Sequence, residues 1–371
     1  MKTLSKIQTV LFFIVISGLY CAVTSCSKDE NGGGGNGFSY TDIGPNLGSD
    51  WHMSDARRSD TGLWALYDNY EAGTKKLARY DFNSKQWQFW DFDNFIWDFD
   101  VWLEGEDNGN GAVVVEATQA GNAVVRSLSS AIEWDIEDID QFKGHVALGW
   151  GSGSAAFSNW VGGHLSGHAV YQETGTCCPV EWNKIDILPG PIYDMWASSR
   201  QGGYVLATTA DKSFVVYSNG GAEITFGGTS YALQNVAWDT QTGIPYALVD
   251  GILYRIEVNP NTSTAIAVAI ADLTTYNYGV TFGISGLDIR SGHAYVSYGA
   301  VVELSNGSIR SSWIGETDTT NVDDLIIIQA IANSEMFTPP NDQDSVYAHV
   351  ITADPNTFES YETWIRVNNA L

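Results

Sequence analysis

From residue 50 onward the apolar positions fall into short runs of four to seven residues, rich in Val, Tyr, Trp and Ala and separated by small polar turns. In the clearest copy, Tyr246-Ala247-Leu248-Val249 passes through Asp250-Gly251 into 252–258, Asn259-Pro260-Asn261 turns the chain, and 265–270 follows. A second copy has Ala294-Tyr295-Val296-Ser297-Tyr298, then 301–304, Asn306-Gly307 and 309–314; Asp239 and Asp288 precede Tyr246 and Tyr295 by the same interval. An earlier copy has 204–208, 214–217, Asn219-Gly220 and 223–226, and the first has 63–67, 77–82, Asn83-Ser84 and 87–92. Alternating runs joined by Asn-Gly or Asp-Gly are hairpins, because both turn residues tolerate positive φ.

Several short antiparallel strands in every 40–50 residues, repeated along a chain, predict an all-β fold of the β-propeller type: one blade buries its faces only against its neighbours, so the array must close. Copies can be placed at 50–92, 93–131, 132–187, 188–228, 231–271, 276–314 and 322–371, giving seven four-stranded blades. The second, third and seventh are degenerate, so six or eight blades fit the same pattern. Residues 325–332 have the length of a helix, but their β-branched content predicts an inner strand. The last copy lacks an outermost strand. The run Phe38-Ser39-Tyr40-Thr41-Asp42-Ile43, before the first blade, is expected to supply it and close the ring.

The N-terminus has a different pattern. Lys2 and Lys6 precede an apolar run at 10–19, too short for a bilayer-spanning helix and shaped like a secretory signal. It ends in Val23-Thr24-Ser25-Cys26, which resembles the bacterial lipobox, in which the cysteine is acylated and becomes the first residue. Lys28-Asp29-Glu30 resembles the signal that sends Bacteroidetes lipoproteins to the outer face of the outer membrane. The chain therefore divides into a signal peptide (1–25), a lipidated Cys26 with export signal and Gly-rich linker (26–37), and a propeller domain (38–371). About a dozen linker residues span roughly 20 Å r.m.s..

Composition narrows the partners. The chain has 44 acids against 18 bases, a formal net charge of −26, and loss of Lys2 and Lys6 with the signal makes the mature chain more negative. Nucleic acid and other polyanions are disfavoured. With Cys21 removed and Cys26 acylated, only the neighbours Cys177 and Cys178 remain. They either form a vicinal disulfide or stay as thiols.

No local catalytic signature is present: there is no G-x-S-x-G, H-E-x-x-H or P-loop. His164 and His168 lie in a glycine-rich stretch, where their spacing carries no metal-site geometry. Calcium has its best candidate in the acidic turn Glu104, Glu106, Asp107 and Asn108, which does not match the EF-hand spacing. Acids stand beside tryptophan near the copy starts, at Trp97-Asp98, Trp134-Asp135, Asp194 with Trp196, and Trp238-Asp239. Packing between blades explains the aromatics. The neighbouring acids make the set a candidate contact face for a neutral or cationic ligand, or for a partner's Arg and Lys.

The export region and the repeats together resemble the surface-exposed propeller lipoproteins of Bacteroidetes. The resemblance implies capture of a nutrient, cobalamin being one known ligand class, above a TonB-dependent outer-membrane transporter. It carries no ligand motif and assigns no binding residue. Three readings follow: a non-enzymatic recognition module, an accessory subunit scaffolded on an outer-membrane barrel or secretion complex, and an extracellular glycan-active hydrolase or lyase. The absence of a catalytic constellation disfavours the third.

Overall fold

The computed structural model describes residues 39–92, 95–101, 112–117, 123–128, 133–136, 144–149, 158–163, 169–173, 182–197, 203–239, 241–259, 261–274, 286–297, 300–311, 336–339, 345–353 and 360–368. All regular elements named here are strands, numbered in chain order. Among the described residues they form seven four-stranded units. Sheet 1 holds β2 (Trp51–Arg58), β3 (Gly62–Asn69), β4 (Thr74–Asp81) and β5 (Gln86–Asp91). Sheet 2 holds β6 (Phe95–Val101), β7 (Ala112–Ala117), β8 (Ala123–Ser127) and β9 (Glu133–Ile136), and sheet 3 β10 (Gly144–Gly149), β11 (Ser158–Gly163), β12 (Val170–Glu173) and β13 (Trp182–Ile185). Sheet 4 holds β14 (Asp194–Ala197), β15 (Tyr204–Thr208), β16 (Ser213–Tyr217) and β17 (Gly220–Phe226), and sheet 5 β18 (Asn235–Asp239), β19 (Ile244–Val249), β20 (Ile252–Asn259) and β21 (Thr264–Asp272). Sheet 6 holds β22 (Leu287–Arg290), β23 (His293–Val296), β24 (Ala300–Glu303) and β25 (Ile309–Ser311).

Sheet 7 closes the ring. Its three chain-order strands, β26 (Met336–Phe337), β27 (Val346–Ala353) and β28 (Ser360–Asn368), are completed by β1 (Ser39–Asp42) from the other end of the chain. The register runs from Ser39 opposite Asn368 to Asp42 opposite Ile365. The expected closing strand is therefore present. Beyond the ladder, the Ile43 amide donates to the Trp364 carbonyl (2.8 Å), Thr363 Oγ1 donates to Asp42 Oδ1 (2.7 Å), and the Trp87 indole of sheet 1 donates to the Ile43 carbonyl (2.6 Å). Gly44 follows directly, and a Cβ there would stand 2.2 Å from Thr363 Oγ1, so the close approach requires glycine.

The core lies between sheets rather than inside any one of them. One buried cluster joins sheets 1 and 2 through Trp64, Leu66, Leu77, Ile96, Phe99 and Val114; another joins sheets 7 and 1 through Tyr347, Trp364, Leu63 and Tyr80. Corresponding clusters fill the gaps between sheets 3 and 4, 4 and 5, 5 and 6, and 6 and 7. This explains the near-continuous burial of β3, β15 and β16: a strand covered on both faces cannot alternate. Sheets 4 and 5 have an added tie, because their outermost strands β17 and β21 pair in parallel from Ile224–Ala265 to Phe226–Ala267.

Three details differ from the sequence reading. Residues 133–136 open no third copy; they form β9, the outermost strand of sheet 2. Asp239 and Asp288 are not equivalent, since Tyr295 pairs with Asp288 whereas Tyr246 pairs with Ala237. A longer connection between Asp239 and Ile244, closed by the Gly243 amide on the Asp239 carbonyl (2.7 Å), replaces the tight Ser291-Gly292 turn, whose residues both have positive φ, and absorbs the offset. The inner strand of sheet 7 is β26, and 325–332 lies outside the described residues.

Strand order defines two faces. Each first strand begins, and each fourth strand ends, on the linking face, which also carries the second-to-third turns. The first-to-second and third-to-fourth turns make up the opposite, hairpin face.

Candidate functional site

An inner strand leaves one edge without a partner strand, and its amides there need another acceptor. Aspartates supply it in four sheets. The Ala56 amide donates to Asp55 Oδ1 (2.7 Å), Phe99 to Asp98 (2.8 Å), Met195 to Asp194 (2.8 Å) and Ile289 to Asp288 (2.9 Å). Val101 donates likewise to Asp100 (2.9 Å). In each case an aspartate precedes a residue that packs into an inter-sheet gap, so the carboxylate turns back on the next amide.

All of these acids but Asp288 converge on Arg57 of β2. Its guanidinium bonds Asp55 Oδ1 and the Ala56 carbonyl, and lies 3.8 Å from Asp100 Oδ1 of sheet 2 and 3.7 Å from Asp194 Oδ1 of sheet 4. It also stands 5.9 Å from the Phe99 ring centroid. Burial works against the charge, but Asp55, Asp194, Asp98 and Asp100 outweigh it and hold the guanidinium above its ordinary pKa. Four carboxylates from three sheets thus gather around one guanidinium.

Arg58 makes a second, deeper junction. Its Nη2 donates to Asp288 Oδ1 (2.8 Å), and the other Asp288 oxygen accepts from the Thr338 amide (2.6 Å) and hydroxyl (2.8 Å). Both charged side chains are buried, at 6% and 7% exposure. The junction ties sheets 1 and 6 to the segment that follows β26.

A third cluster lies at the seam between sheets 7 and 1. Glu362 of β28 accepts from His52 Nδ1 (2.9 Å) and the Met53 amide (2.9 Å), both on β2, and lies 3.5 Å from His349 Nε2 on β27. Burial opposes ionisation of Glu362, yet hydrogen bonds from His349, His52 and the Met53 amide prevail and lower its pKa to about 2. An ionised carboxylate only accepts, so His52 donates to it through a protonated Nδ1. The His52 ring stacks on Tyr70 (5.7 Å between centroids), a residue 73% exposed on a linking-face turn. Nearby, Lys75 Nζ lies 3.0 Å from Asp68 and 4.5 Å from the Phe95 ring centroid, and Phe95 meets Trp97 edge-on at 4.7 Å.

The structure brings together part of the candidate contact face. Asp98 and Asp194 meet at Arg57. Trp97 is half-buried beside Phe95, and Trp196 packs partly buried against the sheet 4–5 core. Trp238 is buried against Tyr204 (5.9 Å) in that core. Asp239 sits at the hairpin-face end of β18, where it accepts from the Gln241 amide (3.0 Å) and Thr242 hydroxyl (2.6 Å). Trp134 and Asp135 are on β9. Cys26, Lys28, Asp29, Glu30, the acidic turn at Glu104, Glu106, Asp107 and Asn108, His164, His168, Cys177 and Cys178 lie outside the described residues. Among the described residues, no group of three or more His, Cys, Asp and Glu is arranged to hold a metal ion. Sequence reasoning missed Arg57, Arg58 and Glu362. The Asp-apolar-X steps Asp55-Ala56-Arg57, Asp98-Phe99-Asp100, Asp194-Met195-Trp196 and Asp288-Ile289-Arg290 carried a signal for the first two.

No family model matches the chain, and no curated protein matches it. Solved structures do. U3-55K aligns over 89% of this chain and 98% of its own at 7% identity, with a TM-score of 0.54. The Hsv2 structure from Kluyvelomyces marxianus aligns over 84% and 83% at 12% identity (TM-score 0.42), and a luciferin-regenerating enzyme over 90% and 95% at 11% identity (TM-score 0.45). At these identities the likeness concerns the fold alone, and the chain is a β-propeller.

Proposed function

We propose that this propeller is a lipid-anchored, non-enzymatic recognition module of the outer-membrane surface, holding a ligand or docking on an outer-membrane barrel such as a TonB-dependent transporter. The observation that carries this reading is the lipobox ending at Cys26, followed by Lys28-Asp29-Glu30 and a glycine-rich linker leading into the closing strand. The excess of 44 acids over 18 bases supports a neutral or cationic ligand, or a partner's basic side chains, through charge complementarity. Burying acyl chains contributes roughly 0.8 kcal/mol per CH₂, so Cys26→Ala is expected to release the protein from membranes. Replacing Lys28, Asp29 and Glu30 by Ala should leave it bound but shielded from protease added to intact cells. A wild type that such protease never reaches would remove the surface assignment. Co-purification from native membranes separates the two modes: a stoichiometric barrel indicates docking, a bound small molecule capture.

One observation favours a second reading, a glycan-active hydrolase or lyase. Glu362 fixes the orientation of the His52 imidazole beside the exposed Tyr70, and an imidazole so held is a common acid–base group. Glycan turnover by the purified protein, abolished in His52→Ala with unchanged melting, would establish it.

A further inference from the structure

Strand pairing fixes where the tether leaves the body. β1 occupies the fourth-strand position of sheet 7 and runs antiparallel to β28, so Asp42 points toward the linking face and Ser39 lies at the hairpin face. The dozen or so residues between Cys26 and Ser39 span roughly 20 Å r.m.s. and about 40 Å when fully extended. Climbing a sheet of six to eight residues takes about 20–27 Å before the chain could turn over the rim. A tether placing the linking face on the bilayer would thus be held at or beyond its r.m.s. length, whereas the hairpin face lies at the exit point itself.

Surface charge is distributed with the same polarity. Described turns on the hairpin face end in neutral amides and hydroxyls, such as Asn83, Asn219, Gln241, Asn261, Ser291 and Asn306, with Lys85 and the half-buried Asp60 as the charged residues. Acids at the adjoining strand ends fold back on their own turns: Asp81 accepts the Asn83 and Ser84 amides, Asp239 that of Gln241, and Glu303 the Ser305 hydroxyl. The linking face instead exposes Asp50, Glu71, Asp91, Asp186, Asp211 and Asp250. The contrast is one of described turns: in sequence, the connections from β6 to β7, β12 to β13 and β26 to β27 carry the further acids Glu104, Glu106, Asp107, Glu181, Asp342 and Asp344. The chain's exit point therefore carries the argument, and charge supports it. Anionic head groups repel an acidic face and tolerate a neutral one.

We infer that the hairpin face lies against the lipid surface holding the anchor, and that the linking face, with His52, Tyr70 and Phe95, points away from it. The inference rests on acylation of Cys26.

The test uses the acylated full chain in vesicles of phosphatidylethanolamine with a minority of phosphatidylglycerol. One variant carries a protease-cleavable epitope between Asn83 and Ser84, a hairpin-face turn. The other carries it between Ala72 and Gly73, a linking-face turn on the same sheet; both turns are exposed. Each is compared with its soluble Cys26→Ala counterpart. The 83–84 site should be cut at least several-fold more slowly when anchored, and the 72–73 site at the same rate in both forms. Equal rates at both sites, or protection of 72–73, overturn the orientation while leaving the anchor intact. Failure of the wild type to float with vesicles overturns the anchor and the orientation together. Protection of 83–84 in cells but not in vesicles assigns that face to a protein partner and overturns the lipid assignment.

Discussion

At the residue scale, buried carboxylates do the joining. Asp288 meets Arg58, its own following amide and Thr338, all away from water. Removing one partner of a buried ion pair leaves the other charge stranded, typically at about 3–5 kcal/mol. Asp288→Ala is therefore expected to lower stability by about that amount in urea unfolding; a loss under 1 kcal/mol would mean that water reaches Arg58. Glu362 gives a pH signature. Its folded pKa of about 2 lies below the ordinary 4.5, so its contribution is fully present above pH 4.5 and is lost as pH falls toward 2. The shift corresponds to on the order of 3 kcal/mol. The stability gap between wild type and Glu362→Gln should be widest at pH 5–7 and close by pH 2, and a gap constant over that range would contradict the role assigned here. Sequence patterns expose the acids but not what they meet. Asp98 and Asp194 stood out beside tryptophan, whereas Arg57, which they surround, lies in a different repeat.

At the scale of elements, local chemistry was legible and register was not. Asp250-Gly251 turns where expected, both residues at positive φ, because the turn is specified within four residues. The equivalence of Asp239 and Asp288 failed because turn length varies between copies, and a counted interval cannot separate strand from turn. Residues 133–136 were assigned to the wrong sheet for a related reason: Glu-Trp-Asp-Ile reads as a strand in any position, and only its pairing with β8 makes it the last of its blade. β1 was recognisable because 38–43 had no other role. Deleting 38–43 removes four ladder pairs, the acceptor of the Trp87 indole and the partner of Thr363. The expected loss is several kcal/mol, since strand burial and ladder go together. Thermal melting checks it, and an unchanged midpoint would show that sheet 7 holds without its outer strand. Gly44→Ala, which forces a methyl against Thr363, should act in the same direction.

At the scale of the whole molecule, periodicity identified the architecture because a sheet that buries both faces needs neighbours on both sides, and only a ring supplies them to every copy. The chemistry of a ring is harder to see from sequence. Arg57 takes its carboxylates from three sheets, and the Glu362 cluster draws on both ends of the chain, so their convergence exists only once the circle is drawn. The latch of that circle also orders events in time. Asp42 and Thr363, bonded across the seam, are 321 residues apart, and synthesis delivers the first long before the second. β1 must wait, unpaired, until β28 has emerged, and long-range pairing of this kind slows folding. A chain stopped before β28 has neither neighbour for its first strand nor cover for the Leu63 and Tyr80 side of sheet 1. Such a chain, ending at residue 358, is expected to show no cooperative unfolding transition and rapid proteolysis, whereas a sharp transition would reveal an independently folding arc. For a ring made in this order, β28 serves as its closing check: fragments that stop before it remain open to proteases, and only a chain that includes it can fasten the ring shut.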